Sequence, residues 1–209
     1  MTESEYTVQP KDREELEKII KKTIKEKGDN ADLNFIDTSL IVDMSWLFAD
    51  HSKFNGDISK WDTSKVTDMS CMFAGAESFN GDISKWNTSK VTKMVGIFSG
   101  AWSFNKPLNK WDVSNVINMA YMFHNAFAFN QPLNNWDVSS VRNMESMFEW
   151  AESFNQPLDK WDVSNVRNME SMFEDANCFK QDLSSWDLSN NHYGTEELEE
   201  FRKSKVRMI

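Results

Sequence analysis

The chain has 209 residues, a formal net charge of -10 at pH 7 and 40% hydrophobic residues. The acidic excess argues against nucleic-acid binding through a general basic surface, and the apolar content excludes a disordered chain. Phe, Met and Trp are abundant, with 15, 12 and 9 residues, so we expect a core of aromatic and thioether side chains.

Residues 1–32 are predicted to form a polar tail followed by a capping helix. The first ten residues have neither the basic segment nor the apolar run of a signal peptide, and no stretch of the chain reaches membrane-spanning length. We therefore expect a cytoplasmic protein if Met1 is the natural start. A surface location remains the alternative if the N-terminus is truncated.

The capping helix is predicted over about residues 11–27. Its apolar face consists of Leu16, Ile19, Ile20 and Ile24. Asp12 and Glu15 have the spacing of a capping box, and Gly28 is a residue that commonly ends a helix. We expect this helix to cover one open end of the repeats that follow.

Residues 33–190 follow a period of 25 residues, and tryptophan marks the first position of the repeat. The marker residues are Trp61, Trp86, Trp111, Trp136, Trp161 and Trp186. A degenerate first repeat begins at Ile36 and the last stops after Asn190, which gives six full repeats and a fraction. A fixed period of this length is typical of a solenoid, in which each repeat buries its apolar face against its neighbours.

The spacing inside each repeat predicts one short parallel strand and one helix, and therefore an α/β solenoid. In one repeat, Trp136 and Val138 alternate as in a strand. The apolar residues that follow are three or four apart, as on one face of a helix. They are Val141, Met144, Met147, Phe148 and Ala151. Ser139 is the predicted N-cap of this helix.

Residues 191–209 are predicted to form a second capping helix. Thr195 is the candidate N-cap, and Leu198 and Phe201 lie on one side of the predicted helix. A solenoid needs polar-faced caps at its open ends. The chain is therefore expected to form one solenoid with a helix at each end.

A long string is read from Trp111: W-D-V-S-N-V-x-N-M-x-x-M-F-x-x-A-x-x-F-N-Q-P-L. It recurs from Trp136 with Ser140 in place of asparagine, and from Trp161 with Lys180 and Asp182 in place of asparagine and proline. It resembles the BspA-like leucine-rich-repeat family, in the 25-residue repeat type of mycoplasma lipoproteins and bacterial surface proteins. The resemblance covers about residues 33–190 and implies a leucine-rich-repeat-like solenoid. Family members are often exported or lipid-anchored, whereas we expect neither a signal peptide nor a lipobox cysteine here if Met1 is the natural start.

An aspartate recurs at the second position of the repeat. These residues are Asp37, Asp62, Asp112, Asp137, Asp162 and Asp187. A row of carboxylates is compatible with Ca²⁺ binding, or each carboxylate accepts a backbone N–H in an Asx-turn. Asn87 replaces aspartate in one repeat and keeps the acceptor without the charge, which favours the turn. We therefore expect no metal site here, and we expect the asparagine column from Asn55 to Asn155 to pair neighbouring repeats.

No motif for catalysis or cofactor binding is found in the sequence. His51, His124 and His192 share no repeat position and have no recurring nucleophile or carboxylate partner. Nothing resembles a P-loop, a dinucleotide fingerprint or a zinc-ligand spacing. We predict a protein that is not an enzyme and has no cofactor. Cys71 and Cys178 are too far apart along the stack for a disulfide and are expected to be free.

Large aromatic residues occupy several positions that vary between repeats. They are Trp46, Trp102, Tyr121, Phe127 and Trp150. Four of them fall in three consecutive repeats, so they are candidates for one interaction patch, since exposed aromatic residues are common at interfaces. The alternatives are that they pack against loops or a cap, or that they stack on sugars.

These features predict a non-catalytic repeat scaffold that binds an unknown protein partner through variable surface positions. One alternative is a carbohydrate-binding or host-surface adhesin. Another is an acidic mimic of nucleic acid that binds a basic partner. We expect no nucleic-acid ligand and no membrane span, and self-association remains possible within this hypothesis.

Overall fold

The computed structural model describes residues 7–194, 196 and 198. The predicted C-terminal capping helix, with Thr195 and Phe201, lies largely outside the described residues. Of that segment, Leu198 is described: it is buried, and its backbone N–H donates to the carbonyl of Gly194 at 3.3 Å.

Helix α1 runs from Arg13–Lys27 and confirms the predicted N-terminal helix. The Asp12 side chain accepts a hydrogen bond from the backbone N–H of Glu15 at 2.9 Å, which satisfies one of the free donors of the first turn. Gly28 ends the helix in the left-handed region, with φ +84°, and its N–H donates to the carbonyl of Ile24 at 2.8 Å.

The apolar face of α1 lies against the first repeats. Leu16 and Ile20 are fully buried and belong to the same core as the repeats. The Arg13 side chain also donates through Nε to the carbonyl of Ser45 at 2.7 Å. The helix is therefore joined to the repeats by both apolar and polar contacts.

The repeats consist of turns and isolated β-bridges, and between residues 36 and 193 the structure has no helix. The prediction of one helix per repeat is therefore wrong. In the repeat that begins at Trp136, two residues of the predicted helix are left-handed: Ser146 has φ +50° and Trp150 has φ +57°. A right-handed helix cannot contain such residues.

Backbone hydrogen bonds explain why the helix does not form. In the same repeat, alternate N–H groups donate to the next repeat at 2.8–2.9 Å. The donors are Met144, Ser146, Phe148 and Trp150, and the acceptors are Asn168, Glu170, Met172 and Glu174. Other N–H groups close local turns, as from Met147 to the carbonyl of Met144 at 3.2 Å. Successive turns bring side chains to the same side every three or four residues, as a helix does. The apolar spacing therefore does not distinguish a helix from a series of turns.

The predicted strand at the tryptophan is also not observed. Trp136 and Val138 are buried while Asp137 between them is exposed, so the expected alternation is present. The segment forms no ladder, however, and instead closes turns, with the N–H of Trp136 donating to the carbonyl of Leu133 at 3.0 Å.

Parallel pairing occurs at the eighth position of the repeat instead. Isolated parallel bridges join equivalent residues of successive repeats. They link Asp43, Asp68, Lys93, Asn118, Asn143, Asn168 and Tyr193 in series. Each repeat therefore lies beside the next with an offset of 25 residues and in register.

Stacked aromatic rings form the core. Within one repeat, the rings of Phe123 and Phe129 lie 4.0 Å apart between centroids, and Phe123 lies 5.4 Å from Phe148 of the next repeat. Marker tryptophans of neighbouring repeats also stack in parallel, as at Trp61 and Trp86 and at Trp161 and Trp186, both with centroids 6.3 Å apart. Such pairs add about 0.5–1.5 kcal/mol each beyond their buried area. The core therefore depends on contacts between identical neighbours, as expected from the composition.

Candidate interaction surface

The structure places most of the predicted patch residues at the surface. The exposed fraction is 55% for Trp46, 45% for Trp102, 41% for Trp150 and 36% for Tyr121. Phe127 is partly buried. These exposures do not fit an alternative in which all five pack beneath described loops or α1.

Trp102 and Phe127 are brought into direct contact. Their ring centroids lie 5.8 Å apart with an interplanar angle of 39°. They occupy the same position of adjacent repeats, and the N–H of Ala128 donates to the carbonyl of Trp102 at 3.1 Å, which keeps the two backbones side by side. The two rings therefore form one continuous aromatic surface across two repeats.

The other three aromatics do not join this ring contact. Among the described residues, no aromatic ring stacks on Trp46 or Trp150. Trp46 lies in the first repeat, and the next two repeats have Cys71 and Gly96 at its position. Trp46 is therefore separate from the other candidate aromatics. Tyr121 lies in the same repeat as Phe127, and Trp150 lies in the next repeat.

Three of the candidate aromatics have left-handed backbones. The φ angles of Trp46, Tyr121 and Trp150 are +62°, +59° and +57°. This conformation costs an L-residue about 1–2 kcal/mol, and glycine occupies equivalent positions in other repeats, as at Gly96 and Gly100. The hydrogen bonds to the next repeat hold these backbones in place, as from Tyr121 N–H to Glu145 at 2.9 Å.

A polar cluster lies next to Tyr121. Its hydroxyl donates to the Glu145 carboxylate, and this hydrogen bond raises the pKa of the Tyr121 phenol. The ring of Tyr121 meets the ring of His124 edge-on at 5.9 Å. Glu145 also accepts from the Asn168 side chain at 3.1 Å. Tyr121 is therefore held between an imidazole and a carboxylate.

Three polar residues form a row that was not predicted from the sequence. Ser99, His124 and Glu149 occupy one position of three consecutive repeats. The Ser99 hydroxyl lies 3.3 Å from His124 Nδ1, and His124 Nε2 lies 3.7 Å from a Glu149 carboxylate oxygen. Their equal spacing of 25 residues was the available signal.

Ser99, His124 and Glu149 are the residue types of a nucleophile, a base and a carboxylate, but the distances between them are long for a catalytic triad. The His124–Glu149 separation of 3.7 Å exceeds hydrogen-bond length. Oxyanion stabilisation needs free N–H donors, and those of Ser99, Gly100 and Asn125 donate to carbonyls at 2.7–3.0 Å. The contacts visible here join neighbouring repeats.

Acidic side chains border the aromatic residues in the last two full repeats. They are Glu145, Glu149, Glu170 and Glu174. The backbone carbonyls of Glu149 and Glu174 accept hydrogen bonds from Asn125 and Trp150, both at 2.8 Å, so these residues lie beside the aromatic positions. This side of the molecule therefore combines exposed rings with negative charge.

The aspartate column forms Asx-turns, which confirms that interpretation. The N–H of Ser139 donates to Asp137 Oδ1 at 3.1 Å, and Ser89 makes the same bond to Asn87 at the same distance. The asparagine column also joins repeats as expected, since the N–H of Asn130 donates to Asn105 Oδ1 at 3.0 Å. The side-chain oxygens of both columns accept hydrogen bonds from backbone N–H groups and so stabilise the turns and the contacts between repeats.

Two polar clefts lie elsewhere on the surface. One, of about 370 Å³, is lined by Asn55, Gly56, Asp57, Ser59, Asn80, Gly81, Asp82 and Lys85. Later repeats have glutamine in place of these glycines, as at Gln156, whose side chain donates to Asn130 Oδ1 at 3.0 Å. The other, of about 220 Å³, is lined by Arg142, Asn165, Arg167, Asn190 and His192.

Cys71 and Cys178 are free, as predicted. Among residues 7–194, 196 and 198, no group of three or more His, Cys, Asp or Glu side chains is placed to hold a metal ion. The described part of the chain also has no helix long and apolar enough to cross a membrane.

These features define a stacked-repeat protein, in which one short unit pairs in register with its neighbours. Its family model matches residues 15–132 and 106–207, which together include every repeat. The chain belongs to the family described as Mycoplasma protein of unknown function, DUF285. The match confirms the resemblance at the level of a mycoplasma repeat family. No curated protein and no solved structure matches the chain.

Proposed function

We propose that the chain is a non-catalytic repeat scaffold that binds a protein partner through its aromatic–acidic face. This face consists of Trp102, Tyr121, Phe127, Trp150, Glu145, Glu149, Glu170 and Glu174. The partner presents basic and apolar side chains. The observation that carries the proposal is that exposed aromatic side chains occur in three consecutive repeats, in which Trp102 contacts Phe127 and Tyr121 is hydrogen-bonded to the Glu145 carboxylate.

Exposed aromatic rings support this proposal through their solvation energy. Trp102 and Trp150 leave much of a large apolar surface in water, and burying such surface contributes roughly 25 cal/mol per Å². Tryptophan and tyrosine are also enriched among the residues that dominate binding energy. The surrounding carboxylates would steer a basic partner and fix its orientation.

Backbone strain gives a second argument. Tyr121 and Trp150 have left-handed backbones at positions where glycine is found in other repeats. The fold tolerates small residues there, so large rings are not needed for stacking. Strained residues persist where the surrounding structure holds them and often have a functional role.

We further propose that the repeats form a solenoid related to the BspA-like leucine-rich repeats, with turns in place of the expected helices. The period of 25 residues lies within the range of leucine-rich repeats, about 20–29 residues. The in-register parallel bridges between successive repeats support this assignment.

A carbohydrate ligand is the second candidate, and the Trp102–Phe127 contact is the observation that favours it. The exposed Trp102 ring and the partly buried Phe127 ring beside it offer an aromatic surface on which a sugar ring can lie. An adhesin of this kind would bind glycans without any basic partner, so binding assays separate the two proposals. A nucleic-acid mimic would instead lose its partner to competing DNA.

The test uses substitutions already found at equivalent positions of other repeats. In the variant Trp102→Ser, Tyr121→Ser and Trp150→Gly, each new residue occurs at that position elsewhere, as Ser52, Ser146 and Gly100 do. The matched control is Trp46→Ser, which removes an exposed ring outside the face. The wild type, the triple variant and the control are each immobilised and exposed to extract from the native source.

We expect the triple variant to lose a captured protein that the wild type and the control retain. Retention of the same protein by the triple variant would refute the proposed face. A glycan array on the same three proteins tests the second candidate. Sugar binding that disappears in the triple variant, with no captured protein, would favour the adhesin.

A further inference from the structure

Three side chains of the last repeats line one cleft, which shares no residue with the aromatic–acidic face. Arg142, Arg167 and His192 occupy the seventh position of successive repeats. The N–H of Arg167 donates to the carbonyl of Arg142, and that of His192 to the carbonyl of Arg167, both at 2.9 Å. Neighbouring backbones paired in this way lie about 4.8 Å apart.

The two guanidinium groups have no acidic partner in the described part of the chain. None of the ion pairs there includes Arg142 or Arg167, although the protein has a net charge of -10. Within the described residues, the Arg142 guanidinium donates two long hydrogen bonds, of 3.3 and 3.4 Å, to the carbonyls of Ser140 and Val141. Like charges on adjacent strands repel, so this arrangement favours a bound anion.

The repeat itself does not require arginine at this position. The four preceding repeats have Val42, Thr67, Thr92 and Ile117 there. Each of these keeps the same backbone pairing, as in the bond from Thr92 N–H to the Thr67 carbonyl at 2.9 Å. At the seventh position of the repeat, arginine therefore occurs near the end of the stack only, at Arg142 and Arg167. The backbone pairing at this position does not depend on it.

The remaining wall of the cleft adds amide donors. Asn165 Nδ2 donates to the Ser139 carbonyl at 2.9 Å, and Asn190 Nδ2 donates to the Ser164 carbonyl at 2.7 Å. These bonds orient both side chains and leave each amide a second N–H. Guanidinium groups bind phosphate and carboxylate oxygens through paired N–H groups, and the His192 ring adds an N–H donor.

We propose that this cleft binds a phosphate or sulfate group, either as a free ion or as the terminal group of a small molecule. Its volume of about 220 Å³ suits a small anionic group, since pockets for drug-sized ligands are about 300–1,000 Å³. The donors come from two side-chain columns of three repeats, so the site exists only because the repeats stack. It is separate from the proposed protein-binding face.

The test is isothermal titration calorimetry with inorganic phosphate, inorganic sulfate and glycerol phosphate, at constant ionic strength set with sodium chloride. The variant is Arg142→Thr with Arg167→Thr, because threonine occupies this position in two earlier repeats. The control is Lys65→Asn with Lys90→Asn, which removes the same charge from a neighbouring column where asparagine occurs in later repeats.

We expect saturable binding of at least one oxyanion by the wild type, with one site per chain. The arginine variant should bind about tenfold more weakly or worse, since hydrogen bonds to charged groups are lost, and the lysine control should bind like the wild type. Tighter binding of glycerol phosphate than of inorganic phosphate would indicate that the ligand is the terminal group of a small molecule. Tighter binding of inorganic phosphate would indicate that the ligand is the free ion.

Two results would overturn the proposal. One is the absence of saturable binding by the wild type with any of the three anions. The other is an equal loss in the lysine control, which would mean that general charge and not the cleft attracts the ions. Circular dichroism of all three proteins verifies that the repeats remain folded. Partner capture through the aromatic–acidic face should be unchanged in the arginine variant, so failure of either proposal is recognised separately.

Discussion

The indole Nε1 of Trp136 donates a hydrogen bond to the backbone carbonyl of Leu108 at 3.0 Å, and both residues are buried. Leu108 belongs to an earlier repeat, so this bond joins units that are distant in sequence. The same bond is made by Trp61, Trp86, Trp111, Trp161 and Trp186. The tryptophan column therefore has a polar as well as an apolar role in the stack.

Replacing the indole without its N–H tests that polar role. We expect Trp136→Phe to lower the free energy of unfolding by about 1–3 kcal/mol, because the Leu108 carbonyl becomes a buried acceptor without a partner. Urea denaturation followed by circular dichroism measures this loss. Trp46→Phe is the control and should stay within about 0.5 kcal/mol, since Trp46 is exposed. Equal losses in the two variants would contradict the hydrogen-bond argument.

The asparagine column makes a comparable prediction for a side-chain acceptor. Asn130 Oδ1 accepts from the N–H of Asn155 and from the side chain of Gln156, both at 3.0 Å. We expect Asn130→Leu to lower the free energy of unfolding by about 1–3 kcal/mol, because these donors lose their acceptor. Asn130→Asp keeps an acceptor oxygen and should recover most of that stability. If the two variants unfold at the same urea concentration, the acceptor is not what the column provides.

The Asx-turns predict a dependence of stability on pH. Hydrogen bonds from the hydroxyl and N–H of Ser139 hold the pKa of Asp137 below its ordinary value, and Ser84 does the same for Asp82. A carboxyl whose pKa is lowered on folding stabilises the fold above its unfolded pKa and loses that contribution as pH falls through the folded pKa.

We therefore expect the free energy of unfolding to fall as the pH drops from about 5 to below about 3.9, the ordinary aspartate pKa. Asp137→Asn keeps the acceptor, as Asn87 does in another repeat. Its difference from the wild type should be largest at neutral pH and shrink in acid. Urea unfolding at several pH values measures both curves. A difference that is constant with pH would exclude a contribution from this carboxylate.

The glycines of the early repeats give a steric prediction. A Cβ atom on Gly56 would lie 2.4 Å from the carbonyl oxygen of Ala31 and 2.7 Å from the ring of Phe54. We expect Gly56→Ala to cost about 1–3 kcal/mol of unfolding free energy, as overpacking does. A Cβ on Gly28 would have no atom within 4 Å. Gly28→Ala should therefore lower the free energy of unfolding only through the positive φ of this residue. Thermal unfolding of both variants measures the difference, and a larger loss at Gly28 would contradict it.

Local sequence signals predicted some features well. The capping residues Asp12 and Gly28 and the apolar face of α1 act within one short segment, so their effect is visible in the sequence. The Asx-turn at Asp137 and Ser139 is equally local. The variation of Trp102 and Trp150 between repeats marked them as candidates for a surface patch, while packing against loops or a cap stayed an open alternative, and the structure shows both side chains exposed.

Features that depend on neighbouring repeats were harder to predict. The rows Ser99–His124–Glu149 and Arg142–Arg167–His192 are equally spaced in the sequence. Their contacts become meaningful only when the repeats are known to lie in register. A search for motifs within a single repeat therefore finds neither row.

The sequence by itself determined the length of the repeat, its structural columns and the positions free to vary. The tertiary structure alone decided the backbone conformation of each repeat, with turns and left-handed residues such as Ser146 where the apolar spacing predicted a helix. The physical reason is that alternate N–H groups, such as those of Met144 and Phe148, donate to the next repeat. Local spacing and propensity contain no information about an acceptor that lies 24 residues further along the chain.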